Sequence, residues 1–376
     1  MQLDKMKILQ IGKFYPILGG VEKVMYDLMG GLSSQGVSCD MLCAAVDGAG
    51  FEKQLNEHAR LFCMHSLCKK AGTMISPAMI SKLRQICNDY DIIHVHHPDP
   101  MAALALFLSG YKGKVVLHWH SDIVKQRILL KAYLPLQNWL ICRADRIVGT
   151  SPVYLKGSPY LKKVQEKTVC LPIGISEMPR NHERAVEIKE KFRNKKIIFS
   201  LGRMVTYKGF QYLVEAAKYL GDDYIVVIGG NGPLKNNLLQ QIKALSLQKK
   251  VFLPGRISDK DLVAYYEACR LFCLPSVMKT EAFGIVQIEA MSFGKPVVTT
   301  TIPDSGVAWV NAHGKSGLNV APGDPKGLAE AVHAICDKED VYLQYSEGAL
   351  RNFKERFTLE KMIEGDLKIY SMLWKQ

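Results

Sequence analysis

The 376-residue sequence predicts an α/β protein built as two doubly wound domains in tandem. Three observations carry that expectation. Short β-branched runs alternate with amphipathic stretches, as parallel strands joined by helical crossovers require. The two halves open alike, with strand, glycine, loop and helix at Ile8–Val24 and again at Ile197–Val214. A polar stretch, Ser176–Asn194, separates them and carries Pro179, Arg180 and Asn181. The length suits two domains of about 100–200 residues each. With the division near 177–195, the expected parts are residues 1–178, residues 179–356 and a terminal helix, 357–376, packing back on the first domain.

Strands are expected in the first half at Lys7–Ile11, Cys39–Cys43, Ile92–Val95, Lys114–His118, Arg146–Gly149 and Thr168–Leu171. In the second half they fall at Lys196–Leu201, Tyr224–Ile228, Val251–Leu253, Leu271–Leu274, Pro296–Thr300 and Leu318–Val320. After Gly19-Gly20, the residues Val21, Val24, Met25, Leu28, Met29 and Leu32 share one face of a helix, and Gly36 ends it. Gln211–Leu220, Leu234–Leu247 and Asp261–Cys269 repeat that pattern. The terminal helix would pack through Phe357, Met362, Leu367, Ile369, Tyr370 and Leu373.

Composition narrows the function. Hydrophobic residues at 48% and charged residues at 23% exclude wholesale disorder. The net charge of +13 divides evenly, +7 over residues 1–178 and +6 over the rest, so it is no basic tail. Spread positive charge suits a phosphorylated small molecule or anionic lipid. Nucleic acid is a third polyanion such charge could suit, but no run of five Lys or Arg occurs, which weakens that reading, and no nucleic-acid partner is expected. Ten cysteines without a C-x-x-C pair fit free buried thiols in a reducing cytosol. The start lacks a secretory apolar core, and the run around Met101–Leu108 is far short of the ~20 residues that span a bilayer. A cytoplasmic protein is expected.

In open parallel sheets ligands bind beyond the carboxyl ends of the strands. The strand Lys196–Leu201 runs into Gly202-Arg203 and then Lys208-Gly209, two cations and two glycines that suit phosphate oxygens or form a solvated basic loop. Tyr224–Ile228 runs into Gly229-Gly230-Asn231-Gly232-Pro233, either a nucleotide-holding turn or a tight connection. Val251–Leu253 leads to Arg256 and Ile257, a candidate wall for a base. In Leu274–Gly294 a helix is expected from Gly284, whose amino end offers free N–H groups to an anion. Glu281 falls in the loop and Glu289 on the helix. Eight residues at helical rise separate them by about 12 Å, so they touch different parts of one extended ligand.

These strings in this order, Gly19–Glu22, Gly202–Gly209, Gly229–Pro233 and Glu281–Glu289, resemble the retaining glycosyltransferases of family 4. The resemblance spans Met6 to about Tyr370. It implies the GT-B fold, two Rossmann-like domains with the active site in the cleft between them. It implies that Arg203 and Lys208 clamp a donor diphosphate and that Glu289 bonds ribose hydroxyls. Glu281 would face the transferred sugar. The backbone at Phe283, Gly284, Ile285 and Val286 would hold the distal phosphate and sugar, and Arg256 and Ile257 would border the base. Gly19 and Gly20 would close over the diphosphate, Gly232 would line the donor site and His120 would point at the sugar. Implied with these are a nucleoside-diphosphate sugar donor, GDP-mannose or a UDP-hexose, a saccharide or lipid-linked saccharide acceptor, cell-surface polysaccharide synthesis, and no cofactor. The charge on Lys208 is expected to be offset only when donor binds.

Two Asp-x-Asp strings could hold a divalent ion. Asp89-Tyr90-Asp91 precedes a strand and Asp259-Lys260-Asp261 reads as a helix cap, so no metal requirement is expected. His94, His96, His118 and His120 lie at alternate positions of two strand ends and converge either as a metal site or as side chains lining the cleft. His118 would then only pack. No G-x-G-x-x-G follows the first strand, which sets aside nicotinamide chemistry. Trp309 stands where a phosphate-binding loop ending in Gly314-Lys315-Ser316 would need glycine. A sugar-nucleotide epimerase and a non-catalytic sugar-nucleotide binding module share the fold signals and remain alternatives. Gln126–Arg143 sets Arg127, Lys131 and Arg143 among apolar residues, either a core helix or a surface for the inner face of a membrane.

Overall fold

The computed structural model describes residues 5–70, 72–123 and 127–374. The chain divides into two compact units: Met1–Gly174 with Leu359–Gln376, and Ile175–Thr358.

The first unit runs β1 (Lys7–Tyr15), α1 (Gly20–Ser34), β2 (Ser38–Ala45), β3 (Phe51–Asn56), β4 (Ala59–Met64), β5 (Cys68–Lys70), β6 (Thr73–Ile75), α2 (Pro77–Ile86), β7 (Ile92–His97), α3 (Pro100–Ser109), β8 (Lys114–Trp119), α4 (Arg127–Arg143), β9 (Arg146–Gly149), α5 (Pro152–Gly157) and β10 (Thr168–Cys170). Its main sheet has the order β10-β9-β8-β7-β1-β2-β4-β3. Every neighbour is parallel except β3, which pairs antiparallel with β4. This hairpin was not among the expected strands. β3 reads FEKQLN, almost wholly exposed on the sheet edge, and its turn, Glu57-His58, carries no glycine. An edge strand with one solvated face and a polar turn leaves little hydrophobic pattern to read.

The second unit runs α6 (His182–Lys191), β11 (Lys196–Leu201), α7 (Phe210–Ala216), β12 (Tyr224–Gly229), α8 (Lys235–Ala244), β13 (Val251–Gly255), α9 (Asp259–Ala268), β14 (Leu271–Leu274), α10 (Ile285–Ser292), β15 (Val297–Thr300), α11 (Val307–Val310), β16 (Gly317–Val320), α12 (Pro325–Cys336) and α13 (Glu339–Arg356). Its six strands, all parallel, have the order β13-β12-β11-β14-β15-β16. β12, YIVVIG, is buried along its whole length, as a strand covered on both faces must be. The polar stretch expected as a linker is instead mostly α6, capped by Asn181 and docked through Ala185 and Ile188.

The chain returns to the first unit in α14 (Leu359–Trp374). Met362, Ile363, Ile369, Tyr370 and Leu373 are buried there, and Leu367 is half-buried. A Cβ on Gly31 of α1 would lie 2.0 Å from Ile363 Cδ1, so glycine is what admits this helix. Phe357 corrects an expectation. It belongs to the second unit, where its ring meets Phe283 and Trp309 edge-on.

Strand order fixes where ligands can bind. In each sheet the direction of winding reverses once, between β1 and β7 and between β11 and β14. The loops leaving the carboxyl ends of those strands splay apart and leave a crevice.

Candidate active site

At the second unit's reversal, β11 runs into Gly202 and Arg203, and a short 3-10 turn, Thr206–Lys208, follows. Gly209 then takes φ 67°, and a Cβ there would sit 2.0 Å from the Pro275 carbonyl oxygen, so only glycine brings this loop against the one leaving β14. That approach delivers Lys208 to Glu281. Their Nζ and Oε2 atoms are 2.6 Å apart and both side chains are buried. Ser276 Oγ donates to the same carboxylate oxygen at 3.0 Å, and Ser305 Oγ donates to the Glu281 carbonyl at 2.5 Å. Burial opposes the lysine's charge, but Glu281 outweighs it and moves the ammonium above its ordinary range. Lys208 is thus paired within the protein itself. The expectation that only bound donor offsets its charge is corrected, because Glu281 sits closer to the ammonium than sequence spacing reveals.

Glu281 lies in the loop and Glu289 on α10, as expected. Gly284 caps α10 at φ 76°, where a Cβ would lie 2.6 Å from Leu274 Cδ2, and no side chain caps the helix. Ile285 and Val286 form its first residues, and buried Phe283 precedes them. Uncapped amino-terminal N–H groups and the positive end of the helix dipole suit an anion. Half-buried Glu289 accepts a 2.7 Å hydrogen bond from Tyr266, whose ring is buried among Phe199, Phe272 and Phe293.

Arg203 and Arg256 are exposed and Ile257 is half-buried. A Cβ on Gly229 would lie 2.5 Å from Ile257 Cδ1, so the β12 and β13 loops pack tightly there. Gly232 backs onto Met204, whose N–H bonds to the Asn231 carbonyl at 2.9 Å. Asn311 is structural: its amide bonds Val297 O and Asn319 Oδ1 and stitches β15 to β16.

At the first unit's reversal, exposed Gly19 and Gly20 start α1. Sequence reasoning missed what faces them in the fold of this unit. Lys13, at φ 54° just past Gly12, donates to buried Asp99 through its backbone and to Pro98 O through its ammonium. Burial raises the Asp99 carboxyl above its ordinary range. Glu22 is buried as well and its carboxyl is raised by burial, with Lys13 opposing the shift. The Gly12-Lys13 step after the first strand and the His97-Pro98-Asp99 string after another were the available signals.

The four histidines do converge. His118 and His120 stack at 4.0 Å, His94 and His96 at 4.7 Å, and His96 and His120 at 5.2 Å. His94, His96 and His118 are wholly buried and only His120 keeps some exposure, at 6%. Three of the four are therefore packed beneath the strand tips and line no opening, which corrects that expectation. Burial lowers all four, His118 to about 3. One ligand atom each from His94, His96 and His118 lie within 4.8 Å of one another. The rings nevertheless lie in nearly parallel planes, 16–27° apart, so their in-plane lone pairs do not converge on one point. Both nitrogens of His96 are also already bonded, to Gln10 and His120.

Of the two Asp-x-Asp strings, Asp259 and Asp261 sit in the first turn of α9, where Asp261 pairs with Arg184 at 2.8 Å. Asp91 accepts from the Lys7 backbone at 2.9 Å. Within α4, Lys131 and Leu129 are exposed while Arg143 is tied to Asp145 and Gly113 O. Gln126 and the side chain of Arg127 lie outside the described residues.

Comparison with known proteins agrees with this architecture. Residues 18–156 match the family model for Glycosyltransferase Family 4, and residues 181–351 match that for glycosyl transferases group 1. O-antigen chain mannosyltransferase C of Escherichia coli is 32% identical over 98% of this chain and 99% of its own. D-rhamnosyltransferase WbpZ of Pseudomonas aeruginosa is 31% identical over 94% and 92%. Sucrose-phosphate synthase from Thermosynechococcus elongatus superimposes with a TM-score of 0.80 at 18% identity, covering 98% of this chain and 99% of its own. Anabaena HepE in complex with UDP does so with 0.76 at 20% identity, covering 98% and 100%. With parallel sheets in two Rossmann-like units and full-length relatives above 30% identity, the chain belongs to glycosyltransferase family 4, with the GT-B fold.

Proposed function

We propose that this glycosyltransferase moves a hexose from a nucleoside-diphosphate sugar to a saccharide or lipid-linked saccharide, with retention, in the synthesis of a cell-surface polysaccharide. The observation that carries the reading is the second unit's reversal, where Lys208, Glu281 and the uncapped start of α10 meet. A departing diphosphate gathers negative charge, and catalysis requires groups already aimed at that charge. Lys208, Arg203 and the N–H groups at Phe283–Val286 supply them, so no divalent ion is needed. Glu281 holds Lys208 in place and faces the transferred sugar, Glu289 binds ribose, and Arg256, Ile257 and Gly232 border the nucleoside. Gly19, Gly20 and His120 keep the roles that the family resemblance implies.

The bond from the anomeric carbon to the diphosphate oxygen breaks, and the acceptor oxygen bonds to that carbon on the same face. The acceptor's proton passes to the departing phosphate oxygen. The name of one relative above 30% identity, a mannosyltransferase, favours mannose as the sugar moved, and GDP-mannose is the donor proposed. No described helix is long and apolar enough to cross a membrane. Peripheral docking through α4, with exposed Leu129, Lys131 and the edge-on Phe107–Trp139 pair, would bring a lipid-linked acceptor within reach. Liposome co-sedimentation at low salt checks that arm; absence of binding removes it.

A thermal-shift screen against nucleoside diphosphates and their sugars tests the whole reading. Ligand at 100 times its Kd stabilises by about 2.7 kcal/mol. GDP and GDP-mannose should raise Tm, with free nucleotide released when acceptor is present. EDTA should leave transfer intact; loss restored by Mn²⁺ would overturn metal independence.

A further inference from the structure

A chain of buried polar groups runs beneath His120, and it joins α14 to the strand tips of the first unit. Asp366 Oδ2 lies 3.4 Å from the Tyr370 hydroxyl. That hydroxyl is 2.5 Å from His94 Nδ1 and 3.1 Å from Gln10 Nε2. Gln10 Oε1 is 2.6 Å from His96 Nε2, and His96 Nδ1 is 2.8 Å from His120 Nε2. Asp366, Tyr370, Gln10, His94 and His96 are all wholly buried.

The Gln10 amide turns its nitrogen to the Tyr370 hydroxyl and the Cys39 thiol and its oxygen to His96, and that orientation sets the hydrogens along the chain. An amide oxygen only accepts, so His96 carries its hydrogen on Nε2. Burial keeps His96 neutral, which leaves its Nδ1 as a lone pair. His120 Nε2 must therefore donate to it. His120 is neutral too, so its one remaining nitrogen, Nδ1, carries no hydrogen. At the other end the Tyr370 hydroxyl accepts from Gln10 Nε2 and has one hydrogen, which goes to Asp366 Oδ2 or to His94 Nδ1, and burial raises the Asp366 carboxyl to about 8.

We propose that Gln10, His96, Tyr370 and Asp366 are positioning residues that fix His120 as its Nε2–H tautomer and present a bare Nδ1 that accepts a hydrogen bond from a substrate hydroxyl. The second clause rests on the proposed sugar-transferase function; the first does not. A neutral acceptor discriminates by direction: a sugar hydroxyl can donate to it, while a phosphate oxygen, with no hydrogen to give, is turned away.

Nitrogen-15 NMR of the full chain with labelled histidine reads the tautomer without substrate, and comparison with His120→Asn assigns the signals. At pH 7 His120 should show a hydrogen-bearing Nε2 and a bare Nδ1. A hydrogen on Nδ1, or an imidazolium, overturns the proposal. Tyr370→Phe and Gln10→Met each cut the chain at one link, and two variants guard against one failing to fold. Either should convert His120 to a mixture of tautomers; a spectrum unchanged in a folded variant overturns the positioning role. Saturating GDP-mannose should then move the wild-type Nδ1 signal. If GDP-mannose binds and that signal stays, the hydroxyl-acceptor clause falls while the tautomer assignment stands.

Discussion

At the carboxyl ends of β11 and β14 a lysine and a glutamate meet as charges, 2.6 Å apart. At the ends of β7 and β8 four imidazoles meet as neutral rings, 4.0–5.3 Å apart. Both clusters are buried, and both sit beside a reversal of strand order. The contrast separates two tasks. A buried cation with one partner and a helix start beside it is prepared for a second anion, because each added negative charge relieves the lysine's desolvation. Stacked neutral rings with hydrogens directed along one line are prepared for a group that donates, and would gain nothing from a phosphate.

The largest expected effect breaks the charged cluster. Lys208→Ala removes a group aimed at the leaving diphosphate and should lower turnover by about 10²–10³-fold. It also strands Glu281, and losing one member of a buried pair costs about 3–5 kcal/mol of folding stability. Adding Glu281→Gln should recover most of the stability and none of the turnover. Urea unfolding of the single and double variants beside a transfer assay checks both, and a single variant as stable as wild type contradicts the pairing.

Acid sharpens the comparison from the other side. His97 and His118 are held at about 3 by burial, against 6.5 for the free side chain. Between those values the unfolded chain binds more protons, so stability falls as pH drops below 6.5, by about 1.4 kcal/mol per unit for each ring. His118→Leu removes one ring whose two nitrogens have no hydrogen-bond partner among the described residues, and should flatten that slope. A urea midpoint insensitive to pH between 6.5 and 4 would contradict neutral packing.

Asp366 should show the opposite sign. Its carboxyl is raised to about 8 from 3.8, so the native state binds the extra proton and stability falls as pH rises between them. Asp366→Asn should be indistinguishable from wild type at pH 4 and more stable at pH 8, at about 1.4 kcal/mol per unit of the interval crossed. The smallest effect is Glu289→Gln, which should weaken nucleoside-diphosphate binding by the roughly 1.5–3 kcal/mol of a hydrogen bond to a charged group. Unchanged affinity by calorimetry would place the ribose elsewhere.

Much of this was legible in the sequence for physical reasons. Parallel strands buried on both faces give continuous apolar runs, and β11, β12 and β14 stand out on that account. Helix α1 shows through its periodicity and Gly284 through its place ahead of α10. Two kinds of feature were hidden. The exposed β3 edge has no apolar face to betray it. Partnerships across long sequence separations leave no spacing rule: Lys208 with Glu281, Lys13 with Asp99, and Gln10 with Tyr370, 360 positions apart, emerge only when loops and α14 fold together. The histidines lie between these cases, since alternation announced a shared face but not their depth.

The central claim is that Lys208, Arg203 and the start of α10 neutralise a departing diphosphate without a bound ion. Crystals grown with GDP-mannose in excess EDTA test it most directly. The account predicts the pyrophosphate against Lys208 Nζ and the backbone N–H groups of Phe283–Val286. A pyrophosphate bound away from that lysine, or one seen only when Mg²⁺ or Mn²⁺ is supplied and aspartates hold it, would contradict the account.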